Sequence, residues 1–464
     1  MHNNLFSDKN FYKNLLRVAL PITVQQFITS GISTLDVLMV GQLGETSIAA
    51  LGLANQVYFL LQLLLFGISS GSAIFTAQYW GAKDVKNIRR VLGICLSITV
   101  PAAVLFTIAA LFFPETVLRF YTNDPAVIAL GSQYLRVVGV SYVLFAVSFS
   151  FSAILRSTEQ SRLPMAVSGM ALILNAMLNY ALIFGNFGLP EMGVRGAALG
   201  TTISRGIEFV VLLVLTYRLK MSAAASLREL LDFDFAFFKR TLRTSLPAAL
   251  NEVLWSLGIT TYNAVYAHIG TESIAAINIA YTIEGMAFVV FIGLANGAAI
   301  MIGNRIGAGH ETTAREYAGR FLKLGLLGAV LAGGTLILTR NQILRLYNIT
   351  PLAAGYAGNI LLIFSLLMWV KVSNLMIFIG ILRSGGDTRY ALIVEALAVW
   401  LIGVPMALVG GFVLHLPVYW VYLMVFAEEF VKLAVAYRRY RTGRWVHNLV
   451  STPDLLAPEA GTMG

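Results

Sequence analysis

Two carboxylates stand inside long apolar stretches of the chain, where water is scarce. Asp36 interrupts the stretch GISTLDVLMVGQLG, and Glu252 interrupts another apolar stretch further along. Neither has a lysine or arginine within one helical turn along the chain. A charge at mid-bilayer costs roughly 2.5–3.5 kcal/mol on insertion scales, and burial disfavours the charged form. We therefore expect both carboxylates to exchange a proton, or to bind Na⁺, as their surroundings open and close.

Three polar side chains are predicted to lie beside Asp36. Asn175 and Asn179 stand four residues apart in LNAMLNYALIFG and so share one face of a helix. Thr201 falls in GAALGTT, at the start of a later apolar stretch. Together they can supply oxygen ligands and hydrogen bonds next to the carboxylate. Hydrogen bonding between helices accounts for the same residues equally well, so both interpretations stay open.

Further polar and aromatic positions inside the apolar stretches are candidates for lining a substrate cavity. Lys371 allows two interpretations: it pairs with Glu252, Glu284 or Glu395, or it is an internal cation that leaves when a charged substrate enters. The cavity candidates are Gln26, Tyr262, Tyr281, Glu284, Lys371 and Asn374.

Other charged residues in the same stretches are better explained as structural pairs. Glu208 has Arg205 one helical turn away, and a pairing role is weighed equally with a functional one there. Glu428 and Glu429 lie close to Lys432 near the end of an apolar stretch, which favours pairing.

The elements that must position these residues are membrane-spanning helices. The chain is 58% hydrophobic and 12% charged, whereas soluble domains carry about 25% charged residues. Apolar stretches long enough to cross a bilayer recur along its length, which predicts an all-α membrane protein. The twelve predicted spans are 15–42, 48–79, 88–113, 131–155, 163–187, 194–218, 241–268, 274–305, 316–339, 354–382, 390–413 and 417–437.

The net charge of +10 reflects membrane topology and not nucleic-acid binding. Most lysines and arginines fall in the loops of one side, among them Lys83, Arg156 and Arg383, and both termini share that side. The positive-inside rule makes this side cytoplasmic. The single cysteine, Cys95, excludes an internal disulfide. We expect a monomer in the plasma or inner membrane, in contact with lipid and not with nucleic acid.

The chain repeats itself at an offset of 226 residues. The pair Gly67 and Gly71 recurs as Gly293 and Gly297, and the segment 154–162 recurs as 381–389 at an offset of 227. Six spans in each half give the halves the same orientation, with a central cavity between them. GISSG matches a hydrolase pattern, but its copy GLANG keeps only the glycines, which indicates helix packing.

The repeat also sets the predicted domain bounds: a first lobe 1–218, a cytoplasmic linker 219–240 with a short amphipathic helix on the membrane, a second lobe 241–440 and a cytoplasmic tail 441–464. Asp36 matches Tyr262 in the repeat, and Glu252 matches Gln26. Each half therefore keeps one carboxylate, at a position that is not equivalent. This favours a functional role for both.

No nucleotide-binding P-loop or zinc-protease motif occurs in the chain. We expect neither an enzyme nor a resident metal or cofactor, and only H⁺ or Na⁺ as a coupling ion, with Na⁺ at Asp36 or Glu252.

The chain resembles the multidrug and toxic compound extrusion (MATE) family from about Leu15 to Leu449. The resemblance rests on LPITVQQFITSGISTLDVLMVGQLG, GAALGTTISR, QYWGAKD with its copy NRIGAGH, and ILRSGGDTR, in this order and spacing. It implies twelve helices in two pseudo-symmetric six-helix bundles that open alternately to either side. It also implies export of amphipathic, mostly cationic organic compounds in exchange for inward H⁺ or Na⁺.

The resemblance extends to individual residues of the first lobe. Asp36 matches the aspartate that family members use for cation coupling, and Asn175, Asn179 and Thr201 match the positions grouped with it. Some members have aspartate where this chain has Asn179. Pro21 matches a first-helix proline associated with bending, and is the expected hinge.

In the second lobe the features of two branches are mixed. Glu252 matches the seventh-helix glutamate of NorM-type and eukaryotic members. The tenth-helix aspartate of NorM-type proteins is not found here. The local sequence WVKVSNLMIF has Lys371 and Asn374 instead. The chain thus combines NorM-type with DinF-type features. The alternatives are a flippase for lipid-linked oligosaccharides from the same superfamily, which would need a strongly basic cavity, and a membrane enzyme or receptor.

Overall fold

The chain forms twelve long helical runs in the computed structural model, which describes residues 8–347 and 349–450. The part of the predicted tail beyond residue 450 lies outside the described residues. The runs are α1 Lys9–Gly41, α2 Glu45–Gly81, α3 Val85–Phe112, α4 Pro125–Val138 with Ser141–Ser157, α5 Arg162–Phe184, α6 Gly193–Arg218, α7 Phe235–Ile269, α8 Thr271–Gly307, α9 Glu311–Leu344, α10 Pro351–Arg383, α11 Thr388–Val413 and α12 Val418–Val425 with Ala427–Thr442.

Each of the twelve predicted spans coincides with one of these runs. Eight helices are long and apolar enough by themselves to cross a membrane, and α4, bent by 53°, makes nine. The other three runs, α1, α7 and α12, fall outside that test. Helices α1–α6 form the first lobe and α7–α12 the second, and each lobe buries its own apolar core.

The two lobes touch along duplicated glycines of α2 and α8. A Cβ on Gly71 would collide with the backbone of Ser245 in α7, and a Cβ on Gly297 would lie 2.8 Å from the Cβ of Ala19 in α1. Gly67 and Gly293 face Ala249 and Thr23 in the same way. Each of these four contacts has its repeat copy among them, so this part of the interface has an approximate twofold axis.

Amide side chains lock the lobes together at one end of the bundle. This end carries loops 82–84, 158–161, 308–310 and 384–387, and we call it the basic end. Gln78 donates from Nε2 to the Ser384 carbonyl, 3.0 Å. Its repeat copy Asn304 donates to Glu159 of the opposite lobe, 2.7 Å. The lobes are therefore closed against each other at the basic end.

The segment after α12 reinforces this closure. Trp445 is 1% exposed in the second lobe, and four residues later the Leu449 amide donates to Gln78 Oε1, 2.7 Å. Leu449 also packs against the apolar core of the first lobe. The segment thus spans from one lobe to the other.

The linker contains one turn of helix, Leu227–Leu230, where an amphipathic surface helix was expected. Ser226 and Glu229 form a capping box at its start. Glu229 also pairs with Arg89 of α3, and the Ser226 amide and the guanidinium together lower the pKa of this carboxyl. Leu230 packs tightly on Gly93, so the turn is fixed to α3.

We predict that Gly71→Ala destabilises the protein and that Gly52→Ala does not. Both glycines lie in α2, but a Cβ on Gly52 would meet no atom within 4 Å. Overpacking at Gly71 should cost about 1–3 kcal/mol, and alanine at Gly52 should be neutral or gain up to about 1 kcal/mol. Thermal unfolding of the purified variants measures the difference, and equal midpoints would contradict the packing described above.

Candidate functional site

The four residues predicted to form a coupling site in the first lobe lie together. Asn179, which is fully buried, donates from Nδ2 to Asp36 Oδ1 at 2.5 Å and to Asn175 Oδ1 at 3.4 Å. Asn175 Nδ2 in turn donates to the Thr201 hydroxyl, 3.3 Å. Gly200 makes room for this arrangement, because a Cβ there would collide with Asn179. Helices α1, α5 and α6 thus each contribute to one polar site.

The amide of Asn179 suits both protonation states of Asp36. Its Nδ2 donates to the carboxylate, as observed. Its Oδ1 is buried and has no donor among the described residues. A protonated Asp36 can donate to this oxygen. The pair is therefore built to exchange a proton without leaving either form unsatisfied.

The nearest cation to this site is already paired. Arg205 forms the ion pair with Glu208 that the spacing predicts, 2.7 Å, and also donates to the Tyr58 hydroxyl, 3.3 Å. Glu208 accepts a further bond from Ser168, 3.0 Å. Asp36 forms no ion pair within the described residues.

Glu252 forms an ion pair with an arginine of another helix, α10. Arg383, at the end of α10, donates from Nη2 to Glu252 Oε1 at 2.7 Å, and the side chains are 5% and 14% exposed respectively. Arg383 is the last residue of a π-helical segment, Met376–Arg383, that ends α10. Glu252 is therefore not a free carboxylate in this conformation. Its coupling role stays a prediction.

Lys371 pairs with Glu284, one of the three partners that the sequence allowed. The distance is 3.1 Å, and Glu284 also accepts a bond from Tyr422, 2.6 Å. The ammonium lies 5.4–5.9 Å from the centres of three rings, those of Phe288, Phe364 and Phe426. The pair is thus held inside the second lobe.

Tyr262 and Asn374 belong to another buried network of the second lobe. Lys432 lies 3.1 Å from both Glu428 and Glu429, as their spacing predicts. Tyr262 donates to Glu428, 2.6 Å, and Asn374 donates to Glu429, 2.6 Å. Tyr262 is 2% exposed and Asn374 5%. Neither side chain lines the pocket between the lobes that is described below, so a cavity-lining role stays a prediction.

Glu395, a carboxylate inside a span of the second lobe, forms no ion pair among the described residues. It accepts a hydrogen bond from Asn251 Nδ2, 2.5 Å, and the buried Oδ1 of Asn251 has no donor there. This repeats the arrangement of Asp36 and Asn179. Five carboxylates share three cations in this region, namely Glu252, Glu284, Glu395, Glu428 and Glu429 with Lys371, Arg383 and Lys432.

The remaining predicted residues are less informative. Gln26 is half-buried on α1, and Tyr281 packs against the core of the second lobe. Pro21 is buried within α1, which continues as one helix from Lys9 to Gly41. Its role as a hinge stays a prediction.

Sequence reasoning placed Arg156 and Arg383 in loops, and that was wrong. Both lie within helices, at the ends of α4 and α10, and Arg383 is 4% exposed. They line a pocket between the lobes. The internal repeat could have pointed to their location near the axis, because the two arginines are copies of each other at the offset of 227 residues. The other lining residues include Ile22, Phe66, Ser69, Ser70, Phe149, Ser157, Asn296, Ile300 and Ser384.

Two duplicated helical lobes, a pocket on their common axis and buried carboxylates in each lobe define a membrane transporter class. The family model MatE matches residues 21–181 and 247–409, once in each lobe. The chain belongs to this family, which is the multidrug and toxic compound extrusion (MATE) family that the sequence resembles.

Curated relatives match over most of their length. The chain is 26% identical to the "Probable multidrug resistance protein NorM" of Thermotoga maritima over 445 residues, covering 95% of both chains. It is 26% identical to the "Multidrug resistance protein PmpM" of Pseudomonas aeruginosa over 400 residues, covering 85% of this chain and 83% of the other.

Solved structures share the fold. A multidrug resistance MATE family transporter of the MOP superfamily in an outward-facing conformation superposes with a TM-score of 0.84 at 20% identity, covering 95% of this chain and 97% of the other. A MOP superfamily transporter from Pyrococcus furiosus, described as having a binding pocket of reverse polarity, superposes with a TM-score of 0.83, also at 20% identity, covering 94% and 96%.

We predict that Glu252→Gln destabilises the protein more than Glu395→Gln. The first change leaves Arg383 buried without a counter-charge, which should cost about 3 kcal/mol. The second keeps an amide partner for Asn251 and should change stability by less than about 1 kcal/mol. Thermal unfolding at neutral pH compares the two variants. A loss at Glu395→Gln as large as that at Glu252→Gln would contradict the assignment of ion pairs.

Proposed function

We propose that this chain is a secondary antiporter that exports amphipathic, mostly cationic organic compounds in exchange for H⁺ or Na⁺ moving inward. Family membership supports a transporter of this kind. The names of its relatives, multidrug resistance proteins, support a broad range of organic substrates. The antiporter acts as a monomer in the inner or plasma membrane, and needs no cofactor beyond its coupling ion.

The basic end faces the cytoplasm in this proposal, with both termini on that side, because basic loops are retained there. The lobes are closed against each other at this end, so the conformation described is the one that releases substrate outward. Export then requires the lobes to part at the basic end and to meet at the opposite one. Lobes with the same orientation, related by an axis along the membrane normal, allow such rocking.

The Asp36–Asn179 pair is the observation that carries the coupling mechanism. An ionised Asp36 balances the positive charge of a bound cationic compound, and a protonated Asp36 does not. Proton uptake from outside therefore favours release of the compound, and proton loss to the cytoplasm favours binding of the next one. The two states differ in their affinity for the compound, which is what exchange requires.

We predict that Asp36→Asn abolishes coupling while the protein remains folded. Purified protein in liposomes should accumulate tetraphenylphosphonium under an imposed H⁺ or Na⁺ gradient. The variant should lose at least about tenfold of this gradient-driven accumulation, because asparagine cannot ionise. Glu115→Gln is the control, since Glu115 is an exposed first-lobe carboxylate paired with Arg136. Full accumulation by Asp36→Asn under both gradients would refute the coupling role, and no accumulation by the unmodified protein would refute the antiporter.

A further inference from the structure

The pocket between the lobes is itself twofold symmetric. Ten of its seventeen lining residues form five repeat pairs, so it lies close to the axis that relates the lobes. Ser70 pairs with Asn296, and Arg156 pairs with Arg383, each pair being one residue and its repeat copy. The same relation joins Ala73 with Ala299, Ile74 with Ile300 and Ser157 with Ser384.

The charge on this pocket is positive, although the spans as a whole are rich in acids. Glu208, Glu284, Glu428 and Glu429 are tied to cations within their own lobes. The residues that line the pocket within the described chain include two arginines and no carboxylate. These four glutamates therefore pair inside their own lobes. The two arginines line the pocket between the lobes.

Neither arginine is saturated by its neighbours. Arg156 donates from Nη1 to the neutral amide of Gln25, 3.2 Å, and forms no ion pair within the described residues. Arg383 gives its Nη2 to Glu252, but its buried Nη1 has no acceptor there. A buried guanidinium nitrogen without an acceptor is costly, which points to a ligand that supplies one.

The rest of the lining suits an aromatic amphiphile that carries an anionic group. Phe66 and Phe149 offer flat apolar faces, and serine hydroxyls add hydrogen-bond partners next to the arginines. Arginine binds carboxylate oxygens through paired N–H donors, with more directional strength than lysine. A purely cationic compound would gain nothing from Arg156.

We propose that Arg156 and Arg383 form an anion subsite on the axis of the transporter, which binds the carboxylate of zwitterionic aromatic substrates. This rests on the proposed function, since it names the residues that recognise one group on those substrates of the exporter that carry a carboxylate as well as a cation. The carboxylate lies between the two arginines and accepts from Arg156 and from Arg383 Nη1. When the lobes part at the basic end, the two arginines separate with them and the subsite is dismantled.

Two dyes that differ in one group test this directly. Rhodamine 110 carries a free carboxylate, and rhodamine 123 is its methyl ester, so the ring system is the same. Binding to the purified full-length protein is followed by fluorescence polarisation at neutral pH. We expect Arg156→Gln to weaken rhodamine 110 binding by about tenfold to a hundredfold, with rhodamine 123 binding changed by less than about twofold.

Two further variants separate a binding role from a structural one. Arg156→Lys keeps the charge and should restore part of the affinity for rhodamine 110. Arg162→Gln removes a nearby exposed arginine and should change neither dye.

Each other outcome has a definite meaning. Equal weakening of both dyes by Arg156→Gln, or no change in either, overturns the subsite. Binding of rhodamine 123 but not of rhodamine 110 by the unmodified protein also overturns it, and leaves the exporter intact. Binding of neither dye counts against the proposed function and the subsite together.

Discussion

Close approach of two helix backbones across the lobe interface is the constraint on which the rest of the structure depends. Helices α2 and α8 can reach α7 and α1 only because glycines stand where any side chain would collide, as Gly71 does against Ser245. The residues that meet there are small: glycines on α2 and α8 against Ser245, Ala249, Ala19 and Thr23. Each of these glycine contacts has a repeat copy, so each lobe contributes two of the four glycines.

The glycine contacts of α2 and α8 with α7 and α1 contain no carboxylate among the described residues. Several carboxylates inside the spans pair with cations of their own lobe, as Glu208 does with Arg205 in the first lobe and as Glu428 and Glu429 do with Lys432 in the second. Among the span carboxylates named above, Asp36 and Glu395 form no ion pair with a described residue, and each accepts a hydrogen bond from an asparagine whose Oδ1 has no donor there. Carboxyl–amide pairs of this kind change protonation state at low cost, while ion pairs resist it.

The sequence was sufficient for the spans and for the first-lobe site, because both depend on local patterns. Twenty-residue apolar stretches locate helices, and four-residue spacing puts Asn175 and Asn179 on one face. The pair of Glu252 and Arg383 could not be predicted, since the two residues lie far apart in the chain and meet only after α7 and α10 pack. The two pocket arginines were assigned to loops because they lie at helix ends, where charge usually reports topology. Only the packed lobes turn them toward the axis.

The proposed coupling through Asp36 requires that its ionic state shift the balance between lobes that meet and lobes that are parted at the basic end. Spin labels on cysteines replacing Lys86 and Thr312, in a variant with Cys95→Ala, report the separation of the lobes there by double electron–electron resonance. The account predicts two distance populations whose ratio shifts with pH or Na⁺ and with added tetraphenylphosphonium, and a single fixed ratio when Asp36→Asn is added. One distance distribution that none of these conditions changes, or a shift that persists in full without the carboxylate, would contradict it.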